Sequence, residues 1–357
     1  MEKHVSTVKP WDKPWPASEL ERVPDCPVCG SSVRVVLHEV LIDNIFECAL
    51  GKWTQWKCMN CRSAYIDPRP TFESIHTAYA NYYTHREVSK RDDYIDLGLF
   101  RKLRRKLVNG YTNWRYSTSA EYSSIMGVFI AYIFPLHRRV IDHQYRHLPQ
   151  RPKNGGSVLD VGCGDGAFLA LARTCGWDVT GLDTDPKAVV NATKQGVSAY
   201  LGGIEYFEGK TNLFDVITLN HVIEHVHEPI KLLEACYKLL KSGGQLWLET
   251  PNINSLGHTR FKRNWRGIEA PRHLVLFNRH SMKQAIYSVG FTDLHDCSQP
   301  SNSFWMYTTS KSIELGKQAE LSIKLILQLF KDIFISEIFP NKREFLAIVS
   351  AHEKVIT

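Results

Sequence analysis

The sequence predicts an α/β fold in which a doubly wound, mostly parallel sheet carries helices on both faces. An apolar run, Val158–Val161, has the composition of a buried strand and leads through alternating glycines into an apolar helix start at Ala167. Further apolar segments of strand length, at 179–183, 214–220 and 245–250, follow in order with a helical pattern between the last two. Strands that alternate with helices predict a parallel sheet built from strand–helix–strand units.

The turn after the first strand is the strongest local sign of a ligand site. Gly162, Gly164 and Gly166 occupy alternate positions. Glycine lets the backbone approach a ligand closely, and the following helix offers free N–H groups at its start. The spacing is Gly-x-Gly-x-Gly rather than Gly-x-Gly-x-x-Gly, which disfavours a nicotinamide or flavin dinucleotide.

Polar side chains follow the other predicted strands at their carboxyl ends. Asp183 ends the second strand, and Asn220 ends the strand at 214–220. Ligands of open α/β sheets bind at the carboxyl ends of the strands, and an acid at the end of the second strand accepts hydrogen bonds from ribose hydroxyls. These positions therefore predict a nucleoside-binding site.

The glycine turn, the acid after the second strand and the later strands follow one another in a characteristic order. In this order, residues from about 156 to 299 resemble the class I S-adenosylmethionine-dependent methyltransferases. The resemblance implies a Rossmann-like sheet of seven strands with the last strand antiparallel, the sixth at 290–297 and the seventh at 344–351. It implies that S-adenosylmethionine is the cofactor, with Asp160 and the turn Gly162–Gly166 around its methionine part and Asp183 at its ribose. Asn220 and His221 would lie beside the transferred methyl group. The cofactor-binding set implied in this way is Asp160, Gly162, Cys163, Gly164, Gly166, Asp183, Thr184, Asn220 and His221.

A second unit precedes the predicted sheet. Residues 23–70 contain two Cys-x-x-Cys pairs, Cys26 with Cys29 and Cys58 with Cys61. Four thiolates on two tight turns provide the closed tetrahedral shell of a structural zinc site. The unit lacks a dense basic stripe with interleaved aromatic residues, so nucleic acid is disfavoured as a partner.

The segment resembles the zinc ribbon that precedes the catalytic domain in bacterial methyltransferases, including those that act on sugars. That resemblance implies that the ribbon helps to cover the active site, with Tyr82 or Tyr83 near the cofactor or the substrate. Ordinary packing is the alternative role for these tyrosines.

Composition sets the broader expectations. The chain has 357 residues, a net charge of +7 and nine cysteines. The N-terminus lacks the pattern of a signal peptide, and the longest apolar run, 125–136, is shorter than the about 20 residues that cross a bilayer. We therefore expect a cytoplasmic protein in which cysteines bind metal rather than form disulfides.

The remaining segments complete the predicted layout: an extended arm over 1–22, the ribbon over 23–70, a helical cap over 71–154, and the methyltransferase domain over 155–357. The cap contains a basic amphipathic segment at 100–107. Its apolar face is expected to pack on the catalytic domain, with contact to a membrane surface or a lipid-linked substrate as the alternative. One added amphipathic helix, 312–336, is predicted as a lid or a dimer contact, and the oligomeric state stays open.

Methyl transfer to a hydroxyl requires removal of the acceptor proton. The candidate catalytic residues are His221, Glu224, His225 and His273, the first three on one face if a short helix starts there. By resemblance to families with similar Glu-His pairs, the four either hold a second divalent metal, or His225 acts as a base that Glu224 orients.

The sequence thus predicts O-methylation of a hydroxyl on a small molecule, most plausibly a sugar or glycoconjugate. The alternatives are C-methylation of a nucleotide sugar, 2′-O-methylation of RNA and a non-catalytic scaffold. In this interpretation Trp265 would stack on a sugar ring and Arg266 or Arg272 would bind an anion, with surface salt bridges as their alternative role.

Overall fold

The computed structural model describes residues 8–80, 98–297, 301–319 and 322–352. Its strands are β1 Leu20–Glu21, β2 Arg34–Leu41, β3 Trp53–Cys58, β4 Ala64–Ile66, β5 Arg69–Pro70, β6 Ser157–Val161, β7 Asp178–Asp183, β8 Ser198–Leu201, β9 Phe214–Asn220, β10 Leu240–Pro251, β11 Val275–Leu276, β12 Thr292–Asp296 and β13 Phe345–Ala351. Its α-helices are α1 Leu99–Tyr116, α2 Met126–Ile133, α3 Pro135–Gln144, α4 Ala167–Thr174, α5 Pro186–Lys194, α6 Pro229–Leu239, α7 Leu256–Phe261, α8 Arg279–Ser288, α9 Ser301–Leu315 and α10 Ile323–Ile338.

The main sheet confirms the predicted fold class. Among the described residues it has seven strands in the order β12-β13-β10-β9-β6-β7-β8. The strands from β10 to β8 pair in parallel, and β13 is antiparallel to both of its neighbours. The chain order reverses between β6 and β9, and this reversal opens a crevice at the carboxyl ends of the two strands.

Burial follows the parallel-sheet pattern. The central strands β6 and β9 are apolar on both faces and carry fully buried residues such as Leu159 and Ile217. The edge strand β8 has no buried residue, so its sequence lacks the apolar run by which the other strands could be recognised.

Three predicted boundaries differ from the structure. The glycines expected to separate α6 from the next strand lie within β10, where the pairing with β9 shifts register and Gly243 has a φ of +74°. The single added helix expected at 312–336 is a pair, α9 and α10. The arm is not uniformly extended, because it forms short 3₁₀ turns and buries Trp15 against Trp53 of the ribbon.

The ribbon sheet is completed by a strand from the part of the chain that follows β10. Strands β2, β3 and β4 form an antiparallel sheet, and β11, from the loop between α7 and α8, pairs with β4. The ribbon therefore packs against the loop that follows β10, at the carboxyl end of the main sheet. Among the residues described, every helix is too short or too polar to cross a lipid bilayer.

Candidate functional site

The glycine turn after β6 has the geometry expected of a ligand cradle. Gly162, Gly164 and Gly166 have φ values of +70°, +55° and +79°, a region that L side chains rarely adopt. A Cβ atom at Gly162 would also lie 2.5 Å from Cγ2 of Val222. The turn therefore requires glycine at this position both for its backbone conformation and for space.

Asp183 closes the turn from the next strand. Its Oδ2 accepts a hydrogen bond from the N–H of Gly164 at 2.8 Å, and its Oδ1 accepts one from the N–H of Asp185 at 2.9 Å. Each carboxylate oxygen can accept more than one hydrogen bond. The carboxylate is thus oriented by the backbone and keeps acceptor capacity for a ligand hydroxyl. Thr184, next in the chain, is exposed.

A cavity of about 1380 Å³ lies between the glycine turn and the helical cap. The predicted residues Gly162, Cys163, Gly164 and Asn220 line it, whereas Asp160 is completely buried beneath it. From the cap and β10, the lining includes His143, Arg146 and Trp247. The structure therefore brings four of the nine predicted cofactor residues to one wall of the cavity and adds a second wall that local patterns did not indicate.

Arg146 is the first of these additional residues. It follows α3 with a φ of +46°. Its guanidinium donates hydrogen bonds to the carboxylate of Asp160 and, at 2.8 Å, to Oγ1 of Thr218, and it lies over the ring of Phe168. Burial raises the pKa of Asp160, and the charge of Arg146 opposes that rise. Asp160 therefore holds Arg146 at the cavity wall. Its other oxygen, Oδ2, is buried without a hydrogen-bond partner in the described part of the chain.

His143 and Glu249 form a hydrogen-bonded pair at the same wall. Nε2 of His143 lies 2.5 Å from Oε2 of Glu249. Burial alone would raise the pKa of Glu249, but the bonds with His143 and His221 lower that pKa to about 2. An ionised carboxylate only accepts hydrogen bonds, so Nε2 of His143 carries the proton and Nδ1 is left as the acceptor nitrogen.

His221 lies between two carboxylates. It has a φ of +54° and enters a turn, so the short helix considered from the sequence does not form. Its Nδ1 is 3.1 Å from Oε1 of Glu224, and its Nε2 is 3.4 Å from Oε1 of Glu249. Burial opposes protonation, but these two partners raise the pKa of His221 to about 10. The two carboxylates therefore favour the protonated form of His221, which disfavours this residue as a proton acceptor.

Glu224 does not orient His225 as the sequence suggested. Burial would raise the pKa of Glu224, but the bond with His221 lowers that pKa to about 2, and Oε2 accepts a hydrogen bond from Thr250 at 2.9 Å. His225 instead places Nδ1 3.1 Å from the carbonyl oxygen of Arg272 and 3.0 Å from the hydroxyl of Tyr79. Because of the turn, the carboxylate of Glu224 contacts His221 and Thr250, and Nδ1 of His225 has other partners.

Three of the four predicted catalytic residues form a cluster that could bind a metal ion. One ligand atom from each of Glu224, His225 and His273 lies within 4.8 Å of the others, and His221 is not a member. His273 places Nδ1 2.7 Å from the carbonyl oxygen of Gly267. Because a carbonyl oxygen only accepts, Nδ1 of His273 carries the proton and Nε2 keeps a lone pair. Nδ1 of His225 either donates to the carbonyl oxygen of Arg272 or accepts from the hydroxyl of Tyr79, and in each tautomer one ring nitrogen keeps a lone pair.

The four ribbon cysteines also converge. Sγ of Cys26 lies 3.6 Å from Sγ of Cys61, and Sγ of Cys29 lies 3.6 Å from Sγ of Cys58. All four thiols are free, and their sulfur atoms lie within 4.8 Å of one another. Tetrahedral zinc with Zn–S bonds of about 2.3 Å requires sulfur atoms about 3.8 Å apart. The observed spacing therefore fits a zinc ion, as predicted.

Residues 135–296 match the model of a methyltransferase domain family. That range begins at α3 and includes the glycine turn, Asp183, Asn220 and six of the seven strands of the main sheet, whereas β13 follows it in the chain. Residues 135–296 are a class I S-adenosylmethionine-dependent methyltransferase domain.

Curated proteins that are similar to part of this chain carry the name O-methyltransferase. The chain is 35% identical over 130 residues to a ubiquinone biosynthesis O-methyltransferase of Pectobacterium atrosepticum, a match that covers 34% of this chain and 54% of that one. It is 37% identical over 107 residues to the enzyme of the same name from Pseudomonas paraeruginosa, with 28% and 46% covered. The chain thus spans about half the length of the curated relatives that it matches.

A solved structure is also similar. The crystal structure of a methyltransferase from Archaeoglobus fulgidus, titled as dependent on S-adenosylmethionine, is 21% identical with a TM-score of 0.41. The match covers 62% of this chain and 99% of that one.

The methyltransferase domain fits its cofactor by its own chemistry. The glycine cradle leaves open space at Gly164, where a Cβ atom would meet no atom within 4 Å. The guanidinium of Arg146 lines the cavity and offers a cation next to that cradle. A guanidinium suits the carboxylate group of a methionine moiety.

The residues expected to bind a sugar or an anion have other roles. Trp265 is buried, and its indole N–H donates to Oε2 of Glu344 at 2.9 Å. Arg266 and Arg272 are buried and form ion pairs with Glu269, and Arg272 also pairs with Asp43 of the ribbon. Neither the stacking nor the surface salt bridges are found, because these side chains lie in the packed contact between the ribbon and the domain. Tyr82 and Tyr83 lie outside the described residues.

Proposed function

We propose that this chain transfers a methyl group from S-adenosylmethionine to a hydroxyl group of its acceptor. The arrangement of the cavity carries the proposal. The glycine turn and Asn220 form one wall, and the paired imidazole of His143 with Arg146 forms the other. A cofactor held at the first wall would meet an acceptor and a proton-accepting group in the same space.

In this proposal Arg146 pairs with the carboxylate of the methionine moiety, which a guanidinium binds in bidentate fashion. Asp160 positions Arg146 from below, and Asp183 accepts hydrogen bonds from the ribose hydroxyls. The proposed cofactor set is completed by Gly162, Cys163, Gly164, Gly166, Thr184, Asn220 and His221.

When bound, S-adenosylmethionine supplies an electrophilic methyl group on a sulfonium. The chain must then orient the acceptor hydroxyl and take up its proton. His143 suits this task because Nε2 donates to Glu249, while Nδ1 has no hydrogen bond among the residues that the structure describes and can accept the proton. Glu249 fixes the tautomer and stabilises the imidazolium that forms.

The cluster of Glu224, His225 and His273 is a second candidate for acceptor activation, either through His225 as the base or through a bound divalent metal. Two imidazole lone pairs and one carboxylate within 4.8 Å support it. These residues do not line the large cavity in the described part of the chain, which favours His143. If His143→Gln retains turnover and His225→Gln abolishes it, with cofactor binding equal in both, the assignment of His143 is wrong.

The acceptor is proposed only as a hydroxyl compound. The sugar or glycoconjugate suggested by the sequence rests on the resemblance of the ribbon, since Trp265 and the two arginines are buried. Relatives named for ubiquinone biosynthesis direct attention to intermediates of that pathway. A screen for methyl transfer to sugars and to intermediates of ubiquinone biosynthesis distinguishes these two classes of acceptor.

The cofactor part is tested by calorimetric titration with S-adenosylhomocysteine. Asp183→Ala should abolish measurable binding, while Asp178→Ala, at the other end of β7, should bind like the wild type. Absence of binding by the wild-type protein, or equal binding by both variants, would reject the proposed site.

A further inference from the structure

The outer face of the helical cap carries an unusual apolar surface. Ten large apolar side chains of α1, α2 and their flanks are between 54% and 87% exposed: Leu99, Phe100, Leu103, Ile125, Met126, Phe129, Tyr132, Ile133, Phe134 and Leu136. We call this set the cap surface. Large apolar side chains exposed in such number on neighbouring helices are typical of interaction sites.

The two helices that form the cap surface are held in one rigid hairpin. A Cβ atom at Gly110 would lie 1.7 Å from the carbonyl oxygen of Ser124, and one at Gly127 would lie 1.8 Å from that of Leu107. The backbones of α1 and α2 thus approach as closely as glycine allows. Their exposed side chains are presented together rather than on independently moving segments.

The hairpin also encloses an apolar groove of about 540 Å³ between α1, α2 and α3. Phe100, Leu103 and Phe134 line the groove, and Arg104 and His137 contribute its basic groups. Val108 lines both this groove and the large cavity. The cap surface therefore adjoins the proposed active site across one helix.

The charge on the two helices has one sign. Helix α1 contains six basic and no acidic residues, and α2 contains no charged residue. Arg101, Lys102, Arg104 and Lys106 form no ion pair with an acid in the part of the chain that the structure describes. Apolar side chains flanked by unneutralised cations match the interface of an anionic bilayer, where aliphatic groups enter the acyl region and cations remain among the headgroups.

We propose that the cap surface docks on the surface of an anionic phospholipid membrane. Helix α10, which carries another set of exposed apolar side chains, contains two acidic and two basic residues in its sequence and so lacks the excess of positive charge found in α1. Helices α1 and α2 precede the residues that match the methyltransferase domain family. The proposed membrane contact therefore does not rest on the proposed methyl transfer.

Sedimentation with phospholipid vesicles tests the proposal on the full chain. Vesicles of phosphatidylcholine with phosphatidylglycerol should bind the protein, and vesicles of phosphatidylcholine alone should bind it far less. Arg101→Gln/Lys102→Gln should weaken binding roughly 30-fold, since each interfacial cation contributes about a fivefold effect. Phe100→Ser/Phe129→Ser should also release the protein. All four side chains lie outside the large cavity, so binding of S-adenosylhomocysteine should be unchanged.

Two matched variants complete the test. Phe330→Ser/Phe334→Ser changes exposed aromatic residues of α10, and Lys187→Gln/Lys194→Gln removes two exposed charges of α5. Both should bind anionic vesicles like the wild type. Failure of the wild type to bind them, equal loss in the matched variants, or release only by the α10 variant would overturn the proposal.

Discussion

Replacing Arg146 by methionine should separate two roles of this residue, one in folding and one in cofactor binding. In the structure the guanidinium neutralises the carboxylate of Asp160, which is completely buried, and donates to Thr218 at 2.8 Å. Arg146→Met keeps most of the aliphatic contact with Phe168 but leaves a buried carboxylate without its cation. Such a loss costs about 3–5 kcal/mol.

The loss of stability in Arg146→Met should depend on pH, and the pKa of Asp160 predicts the direction. Burial raises the pKa of Asp160 above its unfolded value even in the wild type, with Arg146 opposing the rise. A carboxyl group with a raised pKa in the folded state destabilises the protein progressively as the pH increases from the unfolded pKa to the folded one. Without Arg146, burial raises the pKa of Asp160 further. The variant should therefore be closest to the wild type in acid and should fall furthest behind it at neutral pH.

Chemical denaturation at acid and neutral pH measures this difference, and the double variant Asp160→Asn/Arg146→Met serves as the control. Removing the charge together with its partner should recover most of the lost stability. The double variant should still bind S-adenosylhomocysteine about 10- to 100-fold more weakly, because a charge-assisted hydrogen bond contributes about 1.5–3 kcal/mol. Wild-type affinity in the double variant would refute the assignment of Arg146 to the cofactor carboxylate.

Three further predictions concern separate parts of the molecule. Glu249→Gln should lower kcat about 10²- to 10⁴-fold and change its pH profile, with little change in cofactor affinity, because His143 loses the partner that fixes its tautomer; an unaltered pH profile would contradict this role. Gly162→Ala should abolish cofactor binding and reduce stability, since the new Cβ atom meets Val222 at 2.5 Å, and a thermal melt with a parallel titration checks both effects. Removal of metal by a chelator, or Cys58→Ser, should unfold the ribbon first, because its four thiolates close a structural site. Atomic absorption should then find one zinc per wild-type chain, and a metal-free wild type that melts at the same temperature would reject the zinc site.

Local sequence patterns were sufficient for the parallel strands β6, β7, β9 and β10, the glycine turn and the cysteine pairs. Each of these depends on residues that are neighbours in the chain: an apolar run, glycines at alternate positions, or two thiols on one tight turn. The edge strand β8 was missed because its residues are not buried, and a strand without a buried face carries no apolar periodicity. The nature of the turn at His221 also depended on the surrounding structure, since two carboxylates hold that side chain.

The amino-acid sequence by itself determined the fold class, the glycine turn at one wall of the cavity and the convergence expected of the four cysteines. Only the tertiary structure revealed the opposite wall, where His143 meets Glu249 across 106 residues of chain and Arg146 meets Thr218 across 72. It also placed Trp265, predicted as a ligand contact, in the packed contact between the ribbon and the domain. The physical reason is that local patterns report burial and backbone conformation, whereas the pairing of charges and the shape of a cavity depend on which distant segments fold against one another.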